Sequence, residues 1–304
     1  MLSILIPSYN VDLTALVTQL LEQARALALP FEIIVMDDAS PDMAVRERNQ
    51  RLQDAPEVLY LQQQSNNGRA KLRNKLVQQA RFPYLVLMDC DAGIVDSSYL
   101  SRYGQYVQDH PELPSRFVIA GGLMYRSDKP AMERLLRWKY GMRREVRPAV
   151  ERNKHPYRSF TPFNIFTTRE TFVDNGFDES LTTYGYEDTL WGYQLKQQEI
   201  PLVHIDNPLF HDGLDTNETF LRKTREAIEN LYRLMQEERL PKEFEADSRL
   251  LRAYRNFERK GSLPICSWYY QTSHKLMEAS LKQVPSLRVM DSYKLFYLAY
   301  LSRK

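Results

Sequence analysis

Cysteine is scarce in this chain, with two among 304 residues, Cys90 and Cys266. Two thiols cannot build a disulfide framework, and neither belongs to a CxxC metal pair, so a reducing compartment is the simplest expectation. Charge of one sign is lacking too. Lysine and arginine number 41 against 39 acidic residues, a formal net charge of +2. No global field draws such a chain to nucleic acid, and any anion site must be local. No apolar run reaches the length that spans a bilayer. The first residues, Met1 to Pro7, enter an apolar strand at once, with no charged n-region and no cleavage site. That predicts no signal peptide and a cytoplasmic protein. Internal repeats and low-complexity tracts are missing. So is a glycine-rich phosphate loop near the N-terminus, which speaks against a nucleotidyltransferase.

What is present is an ordinary globular balance, 43% hydrophobic and 26% charged. The length suits one large α/β domain with an appendage, or two modest domains. Residues 3–6 read as a short buried strand stopped by Pro7. An amphipathic helix follows, capped by Asp12 or Thr14, with Leu13, Leu16, Val17, Leu20 and Leu21 at helical spacing. Strands are expected at 31–36, 58–62 and 84–88, alternating with helices at 43–53 and 69–81. Further strands fall at 117–123, 163–167 and 201–205, with a helix at 187–198. From residue 217 the pattern is helical. Strands alternating with helices at this spacing predict a doubly wound, mainly parallel sheet, with ligands outside the carboxyl ends of its strands.

Two of those strand ends are acidic. Asp89-Cys90-Asp91 directly follows the apolar run that ends at Met88. Two carboxylates one residue apart, where the chain leaves its pleat, can both reach a hard cation such as Mg2+ or Mn2+. Such an ion neutralises charge on a departing diphosphate. Aspartates that merely cap a turn give the same pattern. Asp37-Asp38-Ala39-Ser40 ends another strand, either as a helix N-cap or with a carboxylate offered to the N–H of a bound base.

In this order the segments resemble the inverting glycosyltransferase family 2, with its GT-A fold and DxD metal motif. Residues 4–10 are similar to the family's opening, where Pro7, Ser8 and Tyr9 would line the nucleotide pocket. Residues 33–40 are similar to the second motif, which gives Asp38 a contact with uracil. Residues 67–74 resemble the next, with Arg73 facing the donor; Arg69 and Lys71 stand where the family often has small residues. Asp91 would be the direct metal ligand, with Asp89 nearer the ribose and the metal's waters. Asn175 to Glu179, followed by Gly185 to Asp188, resembles the acceptor-side signature and implies that Asp188 is the catalytic base. His211 falls where many members place a histidine on the metal.

The resemblance covers about residues 1–215 and implies an α/β, GT-A (nucleotide-diphospho-sugar transferase) doubly wound mixed sheet. Within it, about 1–100 would be the nucleotide-binding half and 101–215 the acceptor-side half, followed by a helical C-terminal extension over 216–304. The implied activity is metal-dependent inverting transfer, with Mn2+ or Mg2+, from a nucleotide diphosphate sugar. UDP is the favoured nucleotide, and the acceptor a hydroxyl of a glycan or lipid-linked glycan in polysaccharide biosynthesis.

Asp188 would take the acceptor's proton, with Glu187 orienting the acceptor or Asp188. The same two acids also suit a helix's first turn on dipole grounds. His211 is expected on the metal, the alternative being a hydrogen-bonded surface histidine; His204 is expected to be structural. Residues 134–158 are rich in arginine and aromatics, and are expected as a flexible loop for a lipid diphosphate or anionic glycan. Arg143, Arg144 and Trp138 within it, and Tyr186 outside it, are the acceptor candidates. The C-terminal region holds Tyr269, Tyr270, Leu276, Tyr293, Leu295, Phe296 and Tyr297 among lysines. It would pack on the catalytic domain, join a homodimer, or touch the inner face of an anionic membrane peripherally. The rival to catalysis is a scaffold of the same fold that binds a sugar nucleotide or carbohydrate. Intact Asp38, Asp89, Asp91, Asp188 and His211 speak against that.

Overall fold

The computed structural model describes residues 1–181 and 184–304. It begins with β1 (Leu2–Ser8), α1 (Thr14–Ala26), β2 (Phe31–Asp37), α2 (Met43–Gln50), β3 (Val58–Gln62), α3 (Arg69–Gln79) and β4 (Tyr84–Met88). β1 pairs in parallel with β2 and β4, and β2 with β3. Side chains alternate between two buried layers. Ile4, Ile6, Ile33, Val35, Val86 and Met88 meet Leu16, Val17 and Leu20 of α1. Leu5, Ile34, Met36, Leu85 and Leu87 meet Leu72 and Leu76 of α3. Both faces are covered, which is why these strands read as continuous apolar runs. Pro7 does not stop β1, which runs on to Ser8 in register with β2. The pairing with β4 ends earlier, at Leu5 and Leu87, so Pro7 has a strand neighbour on one side only, a position that tolerates proline.

The chain continues through β5 (Ala92–Gly93), α4 (Tyr99–Asp109), β6 (Val118–Ala120) and β7 (Leu123–Met124). Next come α5 (Leu135–Arg144), α6 (Ala149–Arg152), β8 (Asn164–Thr168), α7 (Glu187–Gln197), β9 (Leu202–His204) and β10 (Leu209–His211). The large sheet has the order β3-β2-β1-β4-β8-β6-β9, with β8 antiparallel to both neighbours. It is therefore mixed. The strand expected at 117–123 is two strands, parted at Gly121 and Gly122, and β7 belongs to a second sheet of order β5-β10-β7. There His211 lies opposite Ala92, which carries the histidine to the acidic end of β4.

The segment expected as a flexible loop is instead α5, α6 and their turns. Most of its cations are committed within the fold, while Arg143 and Arg147 are exposed. Arg137 grips Glu145 through two bonds of 3.0 Å, and Arg144 pairs with Asp291 at 2.6 Å. Lys139 donates to the Pro285 carbonyl, and buried Arg152 donates to the carbonyls of Ala120, Gly121 and Ile205. The remainder is helical: α8 (Asn217–Gln236), α9 (Lys242–Asp247), α10 (Arg249–Arg259), α11 (Leu263–Gln283) and α12 (Leu287–Leu301). Leu221, Ile228, Leu231, Leu251, Met290, Tyr293 and Leu298 form their core, and Leu136 of α5 and Tyr193 of α7 share it. No described helix is long and apolar enough to cross a membrane.

Candidate active site

The carboxyl ends of β1, β2 and β4 meet on one rim. At the end of β1, Tyr9 is 49% exposed while Ser8 is buried. The Ser8 Oγ has no hydrogen-bond partner among the described residues, a donor and acceptor left over at the rim. At the end of β2, Asp37 accepts from the backbone N–H of Ser40 at 2.8 Å and from its hydroxyl at 2.5 Å. That clamp holds Ala39 in the left-handed region, φ 61°. Asp38 is buried and accepts from Asn67 N at 2.8 Å, Asn67 Nδ2 at 3.1 Å and Gly68 N at 3.0 Å. Its carboxylate, the group expected to meet a base, holds the loop that opens α3. It thereby places Arg69 and Arg73.

Arg73 is the centre of the site. Its side chain is 3% exposed; Nη2 donates to Asp89 Oδ1 at 2.7 Å and Nη1 to Asp188 Oδ1 at 3.1 Å. One guanidinium thus joins the end of β4 to the first turn of α7. Burial opposes the charges of Arg73 and Asp89, but their mutual attraction outweighs it. Arg73 is held more firmly protonated, and Asp89, aided by Arg69, sits below the usual carboxylate range. Asp188 goes the other way. Burial, opposed by Arg73 and reinforced by Glu187 and Asp89, pushes its carboxyl up to about 7.

The turn before α7 is held by the helix's own first residue. Glu187 is buried and its Oε2 accepts from Gly185 N at 2.9 Å, across two left-handed residues, Gly185 at φ 108° and Tyr186 at 73°. Glu187 therefore positions Asp188 through the backbone. A Cβ on Gly185 would also strike Ala227 of α8. Asn74 of α3 donates to Phe177 O and Glu179 Oε1 and accepts from Phe177 N, each at 2.9 Å. Two motifs far apart in sequence are one constellation here.

Asp91 and His211 face each other, Nε2 to Oδ2 at 3.8 Å. The imidazole lies between Tyr125 and Phe163, ring centroids 5.4 and 5.2 Å away, and its Nδ1 has no partner among the described residues. Gly213 packs so tightly on Asp91 that any Cβ there would overlap the carboxylate. Burial pushes Asp91 up, with His211 opposing and Asp89 reinforcing the rise. An imidazole and a carboxylate fit a divalent cation that draws its remaining ligands from phosphate oxygens. Asp89 is turned to Arg73 instead, and among the described residues no three His, Cys, Asp or Glu side chains close on one point. Burial pushes the Cys90 thiol between the two aspartates up to about 12, so it stays protonated.

The four acceptor candidates do not converge. Arg143 is exposed on α5, Arg144 is held by Asp291, Trp138 Nε1 donates to Arg126 O at 2.9 Å, and the Tyr186 ring packs on Phe244. His204 is structural as expected: it accepts from Arg152 and donates to Pro156 O, and burial lowers it to about 4. Motif spacing did not disclose Tyr125, Phe163 and Glu145. Tyr125 donates to Glu145, which Arg137 also holds, and its ring stacks on His211. No sequence period relates these positions. Arg69, its guanidinium 5.0 Å over the Tyr184 ring, joins the site beside Asp89 and Asp188.

Known proteins resemble this chain in sequence and in fold. The family model described as glycosyl transferase family 2 matches residues 3–167. A validoxylamine A glucosyltransferase of Streptomyces hygroscopicus subsp. limoneus is 28% identical over 231 residues, 67% of this chain. The chain spans about half of that protein's length, 49%. Among solved structures, the mannosyltransferase PcManGT from Pyrobaculum calidifontis, in complex with GDP-Man and Mn2+, superposes with a TM-score of 0.57. It is 14% identical, over 99% of this chain and 86% of that one. S. aureus TarS 1-349 in complex with UDP gives a TM-score of 0.50 at 16% identity, over 100% of this chain and 92% of that one. At such identities the two structures speak for the fold.

Proposed function

The chain belongs to glycosyl transferase family 2, and from that premise we propose that it moves a sugar, with inversion, from a nucleotide diphosphate donor to an acceptor hydroxyl. The observation that carries this is Arg73, which ties Asp188 to Asp89 across two elements. In-line transfer needs a base on one side of the anomeric carbon and charge neutralisation on the other. Asp188, as a carboxylate, takes the proton of the attacking hydroxyl. Arg73 fixes the orientation of that carboxylate and keeps Asp89 ionised at the donor's edge. Pro7, Ser8 and Tyr9 offer the nucleotide a rim with an exposed ring for stacking and the free Ser8 hydroxyl. Asp38 supports that rim by pinning the loop before α3.

Asp91 and His211 would hold Mn2+ or Mg2+, which when bound neutralises charge on the leaving diphosphate. We take the donor to be a UDP-sugar. TarS was solved with UDP, and PcManGT, solved with GDP-Man, makes guanine the alternative to test. A glycan or lipid-linked glycan is the acceptor class. Its approach is set by the surroundings of Asp188 (Arg69 and Tyr184) rather than by Arg143 and Arg144.

Calorimetric titration of UDP, GDP, CDP and dTDP, with and without Mn2+, tests this on wild type, Asp91→Ala and Asp188→Asn. Expected are base-selective binding that needs Mn2+ and is lost in Asp91→Ala, and intact binding in Asp188→Asn. With an acceptor glycan, transfer by Asp188→Asn should fall by about 10³-fold. A folded protein that binds no nucleotide would move the scaffold reading to first place, and transfer untouched by Asp188→Asn would overturn Asp188 as the base.

A further inference from the structure

α11 carries an outward apolar face that no other described part of the chain covers. Ile265, Trp268, Tyr269 and Leu276 are 60, 59, 48 and 74% exposed. At 100° per residue they fall within an arc about 100° wide, a stripe about 16 Å long. The inward residues of the same helix, Cys266, Tyr270 and Leu281, are buried in the helical core, so the helix is anchored and its stripe rigid. Of the aromatic residues expected at such a surface, Tyr270, Tyr293 and Tyr297 build that core instead.

The charge around the stripe is predominantly basic, exposed Glu258 being paired with Arg255 at 3.0 Å. The sole acid of α11, Glu278, is turned inward, its carboxylate accepting from Arg225 at 2.7 Å and Tyr293 at 2.6 Å. Exposed Lys275 stands beside Leu276, and exposed Arg259 and Lys260 precede the helix. Exposed Arg303 and Lys304 end the chain after α12, whose last turn lies beside the start of α11, with the Tyr270 and Tyr300 rings 5.2 Å apart.

We propose that this face of α11 lies on an anionic lipid bilayer. The Trp268 and Tyr269 rings sit at headgroup level, Ile265 and Leu276 reach the acyl boundary, and the flanking cations meet lipid phosphates. A second copy is the poorer occupant. A two-fold contact through the stripe would set its cations against themselves, with no carboxylate on the outward face of α11 to answer them. The proposal does not depend on the glycosyl-transfer reading.

The full chain is centrifuged with vesicles of phosphatidylcholine alone and of phosphatidylcholine mixed with phosphatidylglycerol. It should co-sediment with the mixed vesicles only, and less as salt rises. A Trp268→Ala, Leu276→Ala double variant should bind the mixed vesicles about tenfold more weakly, with circular dichroism and nucleotide binding unchanged. Absence of vesicle binding, binding untouched by the double variant, or equal binding to the neutral vesicles would each overturn the proposal. So would a wild-type dimer in analytical ultracentrifugation that the double variant abolishes, because it assigns the stripe to a second copy.

Discussion

Arg73 holds two carboxylates of opposite tendency with one guanidinium, Asp89 drawn down and Asp188 pushed up to about 7. A base that must be ionised makes the rate depend on pH with a definite sign. Below about 7 the Asp188 carboxyl is protonated and cannot accept the hydroxyl proton. kcat/KM should therefore rise with pH, about tenfold per pH unit at first, and level off above that point. Arg73→Gln removes the charge that restrains the rise, so the midpoint should move to higher pH and kcat/KM fall. The same change leaves Asp89 without its partner and should cost about 3–5 kcal/mol of stability. A pH-rate profile beside a urea titration separates the two effects, because a purely structural role for Arg73 would leave the midpoint in place. Asp89 was visible as an acidic strand end, and Asp188 through the resemblance of its segment to an acceptor-side signature. Their linkage through Arg73 was not, since residues 73, 89 and 188 meet only in three dimensions.

At the scale of elements, α5 decides more than its sequence suggested. Basic and aromatic composition read as a loop for anionic substrate, because side-chain chemistry gives no account of who answers each charge. In the fold Glu145 answers Arg137 and Tyr125, Asp291 answers Arg144, and Leu136 enters the helical core. The Tyr125 ring is pressed on one side of His211 and its hydroxyl is held by Glu145 at the end of α5, so α5 also supports the imidazole proposed to hold the metal. Glu145→Ala strands the Arg137 guanidinium, whose side chain is 9% exposed. It should cost about 3–5 kcal/mol and weaken Mn2+ binding at a site it does not touch. Denaturant midpoints and Mn2+ titration of the folded variant check both. Wild-type Mn2+ affinity in that variant would reduce α5 to a structural strut.

At the scale of the molecule, the two apolar layers of the sheet and the helical core are separate clusters, yet Leu136 and Tyr193 belong to the last of them. A soft boundary near residue 215 is therefore bridged by packing, and we expect the chain to unfold as one unit. Leu298→Ala, at a fully buried position of α12, should cost about 2–5 kcal/mol. It should lower the urea midpoint of the whole chain, with near- and far-ultraviolet circular dichroism coincident. An early separate transition would make residues 216–304 an independent domain.

The strands at 58–62 and 84–88, the alternation that builds β1 to β4, and the acids at their carboxyl ends all lay in the sequence. Strand period, helical spacing and strand-end chemistry are local, and local order is what a chain states outright. Pairing β10 with β5, which sets His211 against Asp91, needed the tertiary structure. So did the use of Asp38 as a loop clamp, the internal answers to Arg137, Lys139 and Arg144 of α5, and the division of the C-terminal aromatics between core and surface. Each depends on which distant group satisfies a buried charge or covers an apolar ring, and that partner is chosen by the fold.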